Sequence, residues 1–304
     1  MSNILVVGSL NTDLVVRAPH FPQPGETISG GDLQVIPGGK GANQAVAASR
    51  LGADVSMLGR VGKDNFGDFL LDNLKANNVD SYFVQCDDSP TGTAIIVVDA
   101  SGQNSIVLSA GANGKVSTAD VECASSLDFR LLLLQLEIPT STVLSAAKLA
   151  KSKNAAVILN PAPAKELPDE LIALADYIIP NETELSLLTG LEIHSVVSIE
   201  YAAKTLLERG VKNVIVTMGN KGALIVNKEI STQVGTYAVK VVDTTAAGDA
   251  FIGGFATKLL DSSSSLVETV RYACACGALA TTKFGAQPSL PTKEEVKRLI
   301  AKGK

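Results

Sequence analysis

Short apolar runs alternate with longer amphipathic segments along most of the chain, and this alternation constrains the fold more than any other feature. Strand-like runs occupy residues 4–7, 55–58, 131–136, 156–159, 177–179 and 214–217. Helical patterns occupy residues 43–51, 66–76 and 143–151, a segment from about 182, and residues 199–208. Such alternation is typical of βαβ units, which form a parallel sheet covered by helices on both faces. We predict one α/β domain over residues 1–304, with roughly eight strands.

Two regions, about residues 12–36 and 82–109, break this rhythm. They contain strand-like segments at residues 14–16, 27–29, 33–35, 93–98 and 105–108, with no helical pattern among them. Residues 99–102 have the composition of a hairpin turn. From periodicity alone, these strands could form a small lid sheet or an antiparallel extension of the main sheet.

Charge and composition exclude several classes of function. The 26 Lys and Arg residues against 31 Asp and Glu give a net charge of −5, without long runs of either sign, so we expect no nucleic-acid partner. The apolar runs are far shorter than the roughly 20 residues that span a bilayer, so we expect a soluble protein with no membrane partner. The chain enters an apolar run directly after Met1-Ser2-Asn3, without the pattern of a secretory leader. The four cysteines lack metal-binding spacing, and with two histidines they predict reduced thiols in the cytoplasm.

The common nucleotide-binding motifs are missing. A P-loop requires Ser or Thr after Gly39-Lys40, where this chain has Gly41, and the G-x-G-x-x-G of a dinucleotide-binding fold does not follow the first strand. The hydrolase motifs G-x-S-x-G and H-E-x-x-H are missing as well. The segment Asp243-Thr244-Thr245-Ala246-Ala247-Gly248-Asp249 instead precedes a helical pattern. Small residues at a helix start let backbone amides converge on an anion. Asp249 beside such a nest could accept a proton from an attacking hydroxyl. The alternative is a capping Asp after a glycine turn.

Two further segments could bind a ligand. Pro37-Gly38-Gly39-Lys40-Gly41-Ala42-Asn43-Gln44 is a glycine-rich loop that opens a helix, and Asn43 can both donate and accept hydrogen bonds. Gly8-Ser9-Leu10-Asn11-Thr12-Asp13 ends the first strand, at the edge where open α/β sheets bind ligands. Asp13 could accept two hydrogen bonds from a diol. A flexible turn before a core helix and an Asx-turn are the respective alternatives.

These segments occur together with three others in a fixed order. The others are Asn181-Glu182-Thr183-Glu184, Thr217-Met218-Gly219-Asn220-Lys221-Gly222 and Gly285-Ala286-Gln287-Pro288-Ser289. With all six motifs, the sequence resembles the ribokinase branch of the PfkB carbohydrate kinases over nearly its whole length. The resemblance implies a three-layer α/β/α domain with a mostly parallel central sheet and a small β-sheet lid, contributed by residues 12–36 and 82–109.

The resemblance also implies roles at the acceptor side of a kinase site. Asp249 is the expected base, and Ala246, Ala247 and Gly248 are expected to supply the amides of an anion hole. The expected sugar contacts are Asn11, Asp13, Gly39, Lys40, Gly41, Ala42, Asn43 and Glu137. ATP-dependent phosphorylation of D-ribose at its 5-hydroxyl is the expected reaction. A nucleoside kinase, a fructokinase and a non-catalytic sugar-binding regulator are the alternatives.

At the nucleotide side, the resemblance implies that ATP is bound with Mg²⁺ and that a monovalent cation, K⁺, activates the enzyme. The expected nucleotide positions are Asn181, Glu184, Thr217, Gly219, Asn220, Lys221, Gly222, Gly248, Asp249 and Cys274. Cys274 departs from the His or Asn of related enzymes near the adenine. The expected oxygen donors for the monovalent ion are Asp243, Thr245, Ala280, Lys283, Gly285 and Ser289. A homodimer through paired lid sheets is also implied.

Overall fold

The computed structural model describes residues 3–303, so residues 1, 2 and 304 of the predicted domain lie outside the described residues. Its strands, in chain order, are β1 (Ile4–Val7), β2 (Asn11–Arg17), β3 (Gln34–Gly38), β4 (Val55–Gly62), β5 (Val79–Asp87), β6 (Gly92–Val98), β7 (Asn104–Ser109), β8 (Leu131–Leu134), β9 (Ala156–Leu159), β10 (Tyr177–Ile178), β11 (Asn213–Thr217), β12 (Ala223–Asn227) and β13 (Ser231–Val234). Its α-helices are α1 (Lys40–Arg50), α2 (Asn65–Ala76), α3 (Thr118–Cys123), α4 (Thr140–Ser152), α5 (Asp169–Leu174), α6 (Glu182–Thr189), α7 (Val196–Glu208), α8 (Ala247–Leu259), α9 (Leu266–Ala280), α10 (Ala286–Ser289) and α11 (Lys293–Lys302).

A nine-stranded sheet forms the centre of the molecule, in the order β13-β12-β11-β10-β9-β8-β1-β4-β5. Its strands are parallel except for β12, which pairs antiparallel with both of its neighbours, β11 and the edge strand β13. Strand β1 lies between β8 and β4, so the chain proceeds outward from β1 in both directions. This switch of direction opens a crevice at the carboxyl ends of the strands, where α/β sheets bind ligands. The predicted mostly parallel sheet is confirmed.

Alternate residues of the central strands supply two hydrophobic cores, one on each face of the sheet. In β1, Ile4 and Val6 pack with residues of α1, α8 and α9, whereas Leu5 and Val7 pack with residues of α4, α5 and α7. Because both faces are covered, the strands are apolar throughout rather than alternating with polar residues. The molecule therefore has the predicted three layers.

A separate four-stranded sheet, in the order β3-β2-β6-β7, contains most of the strands expected in the lid. Two segments differ from the prediction. Residues 27–29 are not in a strand, and residues 82–87 belong to β5 at the edge of the large sheet. The reason for the second difference is that β4 and β5 are parallel partners joined by α2, so β5 completes a βαβ unit before the chain reaches the small sheet.

Helix α8 is buried on most of its surface and packs between α1 and α9. A Cβ at Gly253 would lie 2.9 Å from the backbone nitrogen of Ala48, so glycine is needed for the close approach of α1 to α8. This approach brings the first turns of the two helices together, and the acidic end of α8 meets polar side chains of α1.

Candidate active site

The site lies where β1 and β8 end and where α1 and α8 begin. Asn11 and Asp13 follow β1, and Asn43 lies in the first turn of α1. Glu137 follows β8, and Asp249 lies in the first turn of α8. The structure therefore brings together four segments that are far apart in the sequence, as the ligand-binding interpretation of these motifs requires.

The Asp249 carboxylate is buried and accepts two side-chain hydrogen bonds. Asn43 Nδ2 donates to Oδ2 at 2.9 Å, and Gln44 Nε2 donates to Oδ1 at 3.0 Å. Burial raises the pKa of Asp249, while Lys40 and the two amide donors act in the opposite direction. The donors thus stabilise a charge that burial alone would disfavour.

The turn before α8 leaves backbone amides beside this carboxylate. Ala246, at the N-cap, has a left-handed conformation with φ of 58°, which turns the chain sharply into the helix. Within residues 3–303, the backbone amides of Gly248 and Asp249 have no hydrogen-bond acceptor, whereas the Ala247 amide donates to the Thr244 carbonyl at 3.3 Å. At a helix start, free amides attract an anion.

Lys40 lies near a group of carboxylates in the same crevice. Burial acts to lower the pKa of its ammonium group, but Asp249, Glu137, Glu184 and Asp13 together raise it. The side chain is therefore charged and neutralises part of an otherwise acidic site. It links the two sides of the crevice electrostatically, because Glu184 follows β10 and Asp13 lies on β2.

Glu137 Oε2 accepts three hydrogen bonds, from residues that follow β1 and from the start of α1. Ser9 Oγ donates at 2.5 Å, the Lys40 amide at 3.1 Å and Asn11 Nδ2 at 3.4 Å. The other oxygen of this carboxylate has no donor in the described chain, so it is available to a ligand hydroxyl. The backbone amides of Gly41 and Ala42 instead donate to Ser9, at 3.3 and 2.9 Å.

The carboxylate of Asp13 is nearly buried and receives no hydrogen bond within the part of the chain that the structure describes. Burial, Glu137 and Asp249 raise its pKa to about 7, although Lys40 acts to lower it. A buried carboxylate without donors is costly unless a ligand supplies them. This arrangement fits a ligand with two adjacent hydroxyl groups.

A cavity of about 760 Å³ lies on the other side of the α8 turn. The predicted nucleotide positions that line it are Asn181, Thr217, Gly219, Asn220, Gly222, Gly248 and Cys274. Lys221 does not line it, and the Lys221 carbonyl accepts from Gln233 Nε2 at 3.0 Å. Burial raises the pKa of the Cys274 thiol to about 12, so this side chain is a neutral wall of the cavity.

Asn181 and Glu184 form a capping box at the start of α6. Asn181 Oδ1 accepts from the Glu184 amide at 2.8 Å, and Glu184 Oε2 accepts from the Asn181 amide at 2.9 Å. Glu184 Oε1 has no donor among the described residues. Burial raises the pKa of Glu184, while its bond from Asn181 and nearby Lys40 act to lower it.

Asp243 ties the turn before α8 to the C-terminal segment. Its Oδ1 accepts from the amide and hydroxyl of Thr245, at 2.9 and 2.7 Å, and its Oδ2 accepts from the Gly285 amide at 2.9 Å. Burial acts to raise the pKa of Asp243, but these bonds lower it. The Lys283 ammonium pairs with Glu295 at 2.7 Å, and Ser289 Oγ donates to the Ala286 carbonyl.

Several site residues were not identified from the sequence. Gln44, Asn113, Gln135 and Asn160 are buried polar residues around the crevice. Gln135 and Asn160 directly follow the apolar strands β8 and β9, which is a usable signal, since a polar residue at that edge of a parallel sheet faces the ligand crevice. The cavity residues Phe251, Gly277, Ala278 and Thr281 have no such signal, because small and apolar helical residues also serve packing.

Residues 3–303 contain neither a membrane-spanning helix nor a cluster of metal-binding side chains. No helix there combines the length and apolar character needed to cross a membrane. No group of three or more His, Cys, Asp and Glu side chains there could hold a metal ion.

Residues 1–293 match the family model of the pfkB family carbohydrate kinases. A ribokinase from Haemophilus influenzae is 42% identical over 295 residues, which cover 96% of each chain. A deoxyribokinase from Salmonella typhi is 38% identical over 305 residues, covering 98% of this chain and 99% of its own. The solved structure of an Arabidopsis thaliana ribokinase complexed with ribose and ATP is 36% identical, with a TM-score of 0.91 and 98% of each chain covered.

Proposed function

Because this chain belongs to the pfkB family of carbohydrate kinases, we propose that it transfers the γ-phosphoryl group of ATP to the 5-hydroxyl of D-ribose. Relatives named ribokinase, and the Arabidopsis ribokinase solved with ribose and ATP, support this substrate pair. The relative named deoxyribokinase makes 2-deoxyribose the second candidate acceptor.

The proposal rests on the position of Asp249 between the large cavity and the polar crevice formed by the start of α1. One side of its turn, at Ala247 and Gly248, lines the 760 Å³ cavity that suits a nucleotide. Its carboxylate faces Asn43 and Gln44 on the acceptor side. In the proposed mechanism, the carboxylate accepts the proton of the attacking hydroxyl, while the free amides of Gly248 and Asp249 stabilise charge on the transferred phosphoryl group.

We propose that the sugar is held by Asp13, Asn43, Asn11, the Gly39 segment and Glu137. Asp13 accepts from two neighbouring hydroxyls, since its carboxylate lacks protein donors. Glu137 accepts at its unused oxygen, because Ser9, Lys40 and Asn11 already occupy Oε2. Lys40 compensates the charge of these carboxylates.

We propose that Mg²⁺ enters with ATP and is held by the phosphates and by water molecules. The unused Glu184 Oε1 is a suitable acceptor for those water molecules, because Mg²⁺ retains its hydration shell in such sites. When bound, the ion neutralises phosphate charge as the phosphoryl group moves. Asn181 keeps Glu184 in place through the capping box.

We propose a monovalent cation site under the anion turn, with K⁺ as the natural ion. The carbonyls of Ala280 and Lys283 have no amide partner within residues 3–303, and they lie in the segment that Asp243 ties to the turn through Gly285. Carbonyl and carboxylate oxygens are suitable ligands for a hard cation. A cation there would orient the turn that carries Gly248 and Asp249.

We also propose a homodimer through the small sheet, in the cytoplasm. The strand register aligns Val35, Leu14, Ile95 and Val107 as one apolar row across all four strands. Val35, Ile95 and Val107 are 44%, 51% and 63% exposed, which is typical of an interaction surface. The four cysteines are free thiols, which favours a reducing compartment.

Product formation by the wild-type protein and by Asp249→Asn tests the function. With Mg²⁺ and K⁺ present, ATP consumption should be fastest with ribose in a panel that also contains 2-deoxyribose, fructose and adenosine. Asp249→Asn should lower kcat by about 10²-fold or more with a similar KM, because the amide cannot accept the proton. Asp261→Asn, an exposed change just beyond the far end of α8, is the matched control. Near-normal kcat in Asp249→Asn would exclude the base from the mechanism.

A further inference from the structure

We propose that Gln44 is a positioning residue that orients the Asp249 carboxylate and keeps it in its charged form, and that Gln135 and Asn160 fix the direction in which Gln44 donates. This inference rests on the proposed function, in which Asp249 accepts a proton from the acceptor hydroxyl.

The amide of Gln44 uses all of its hydrogen-bonding groups except one acceptor lone pair. Its Nε2 donates to Asp249 Oδ1 at 3.0 Å and to Asn160 Oδ1 at 3.1 Å. Its Oε1 accepts from Gln135 Nε2 at 2.6 Å. The side chain is fully buried, so no water competes for these positions. Gln44 therefore forms the centre of a chain of amides that ends at the carboxylate.

The neighbours of Gln44 determine which end of its amide faces Asp249. Asn160 Nδ2 donates to the Ile179 carbonyl at 3.1 Å, so Asn160 Oδ1 must face Gln44 as an acceptor. A reversed Gln44 amide would point its oxygen at two oxygens and its nitrogen at Gln135 Nε2. Burial makes such unpaired contacts costly. The chain of amides thus has one favourable direction, and that direction delivers an N–H to the carboxylate.

Gln135 is held in this direction although one of its own atoms has no partner. Its buried Oε1 has no hydrogen-bond partner within the described residues. This oxygen lies against Gly8, where an added Cβ would overlap it. Turning the Gln135 amide over would direct its oxygen at Gln44 Oε1, so the unpaired oxygen is the less costly arrangement.

The charged groups around Asp249 come from several elements. Lys40 on α1 favours the charged carboxylate, whereas Glu137 after β8 disfavours it; Asp13 on β2 and Glu184 on α6 also interact electrostatically with Asp249. Asn43 donates the second amide bond. Removing Gln44 leaves all five of these residues in place and deletes one bond to the charged form. Losing a hydrogen bond to a charged group should raise the pKa of Asp249 by about one to two.

The test compares pH profiles of kcat at saturating ribose and ATP for the wild type, Gln44→Met and Gln135→Met. Saturation removes the effect of Asp13 protonation on sugar binding. For Gln44→Met we expect the acidic limb to move up by about one to two pH units, so that kcat falls about tenfold at a pH within the wild-type acidic limb and recovers on the alkaline plateau. For Gln135→Met we expect a smaller move in the same direction. The KM for ribose at pH 8.5 should stay within about twofold, because Gln44 faces the carboxylate rather than the sugar.

Thr142→Val is the matched control, since it deletes a buried hydrogen bond of 2.8 Å to the Val116 carbonyl on the opposite face of the sheet. It should lower the melting temperature without moving the acidic limb. An equal loss of kcat at every pH in Gln44→Met would overturn the proposal and reduce Gln44 to a packing role.

A second measurement needs no turnover. Carboxyl ¹³C resonances of aspartate-labelled protein, assigned with Asp249→Asn, report the pKa of Asp249 directly. An unchanged pKa in both Gln44→Met and Gln135→Met would refute the inference even if no sugar proved to be a substrate. Absence of wild-type turnover with the whole sugar panel would refute the proposed function separately.

Discussion

Replacing Asp13 by Asn should make the ligand-free protein more stable while weakening sugar binding. The pKa of Asp13 rises from 3.8 to about 7 because the carboxylate is buried near Glu137 and Asp249 without a protein donor. The folded protein therefore holds a proton between about pH 4 and 7 that the unfolded chain has released, and stability falls as pH rises through this range. At 1.36 kcal/mol per pKa unit, the charged carboxylate costs about 4 kcal/mol above pH 7.

Urea unfolding of the wild type and Asp13→Asn at pH 5.5 and 8 measures this cost. We expect the variant to be more stable by about 4 kcal/mol at pH 8 and by about 2 kcal/mol at pH 5.5, since the neutral amide escapes the penalty at both values. The KM for ribose should rise at least about a hundredfold, because two charge-assisted bonds are weakened. Asp120→Asn is the matched control. Asp120 is also buried, but its hydrogen bonds from Arg60, at 2.9 Å, hold its pKa low against the effect of burial, so neutralisation should destabilise the protein. Equal stability of the wild type and Asp13→Asn at pH 8 would refute the argument.

The remaining predictions concern the cation and the dimer. Replacing K⁺ by Na⁺ should lower kcat several-fold with little change in the KM for ribose. Asp243→Asn should remove the difference in kcat between the two ions, because it releases the turn from Gly285. A kcat that responds to neither ion would contradict the proposed cation site. Ile95→Glu should convert a dimer to a monomer in light scattering at micromolar concentration. Asn104→Glu should not, because the strand register places Asn104 on the opposite face of the small sheet from Ile95. A strict monomer in the wild type would exclude the lid interface.

The layers of the fold were predictable because buried parallel strands are continuous apolar runs. Residues 4–7, 131–134 and 156–159 are such runs, and the helices between them show the spacing of apolar residues that is typical of amphipathic helices. The edge strand β13 was harder to predict, since it contains Ser, Thr and Gln and lies at an edge where polar residues are tolerated. Residues 27–29 have β propensity but no strand partner, because local composition does not encode pairing.

Asp249 could be predicted as a site residue from its local sequence, but the buried amides that hold its carboxylate in place could not. Asp249 follows a turn of small residues, which predicts either an anion nest at a helix start or a capping Asp after a glycine turn. Gln44 and Gln135 are 91 residues apart in the chain, and nothing in either neighbourhood indicates that their amides meet. Such long-range contacts arise from the order of the strands, which a single sequence leaves undetermined.

The hydrogen bond between Asn43 and Asp249 joins two segments 206 positions apart, one carrying the proposed acceptor contacts and the other the transfer machinery. In the proposed site, apart from Glu137, the residues that bind the alcohol lie within the first 43 residues, and those that bind the phosphate donor lie after residue 180. Substitutions in the N-terminal segment could therefore change the sugar specificity of such an enzyme while the C-terminal segment keeps the phosphoryl-transfer chemistry. Two relatives that are each 38% identical to this chain, one named ribokinase and the other deoxyribokinase, differ in the sugar of their names as such a division would allow.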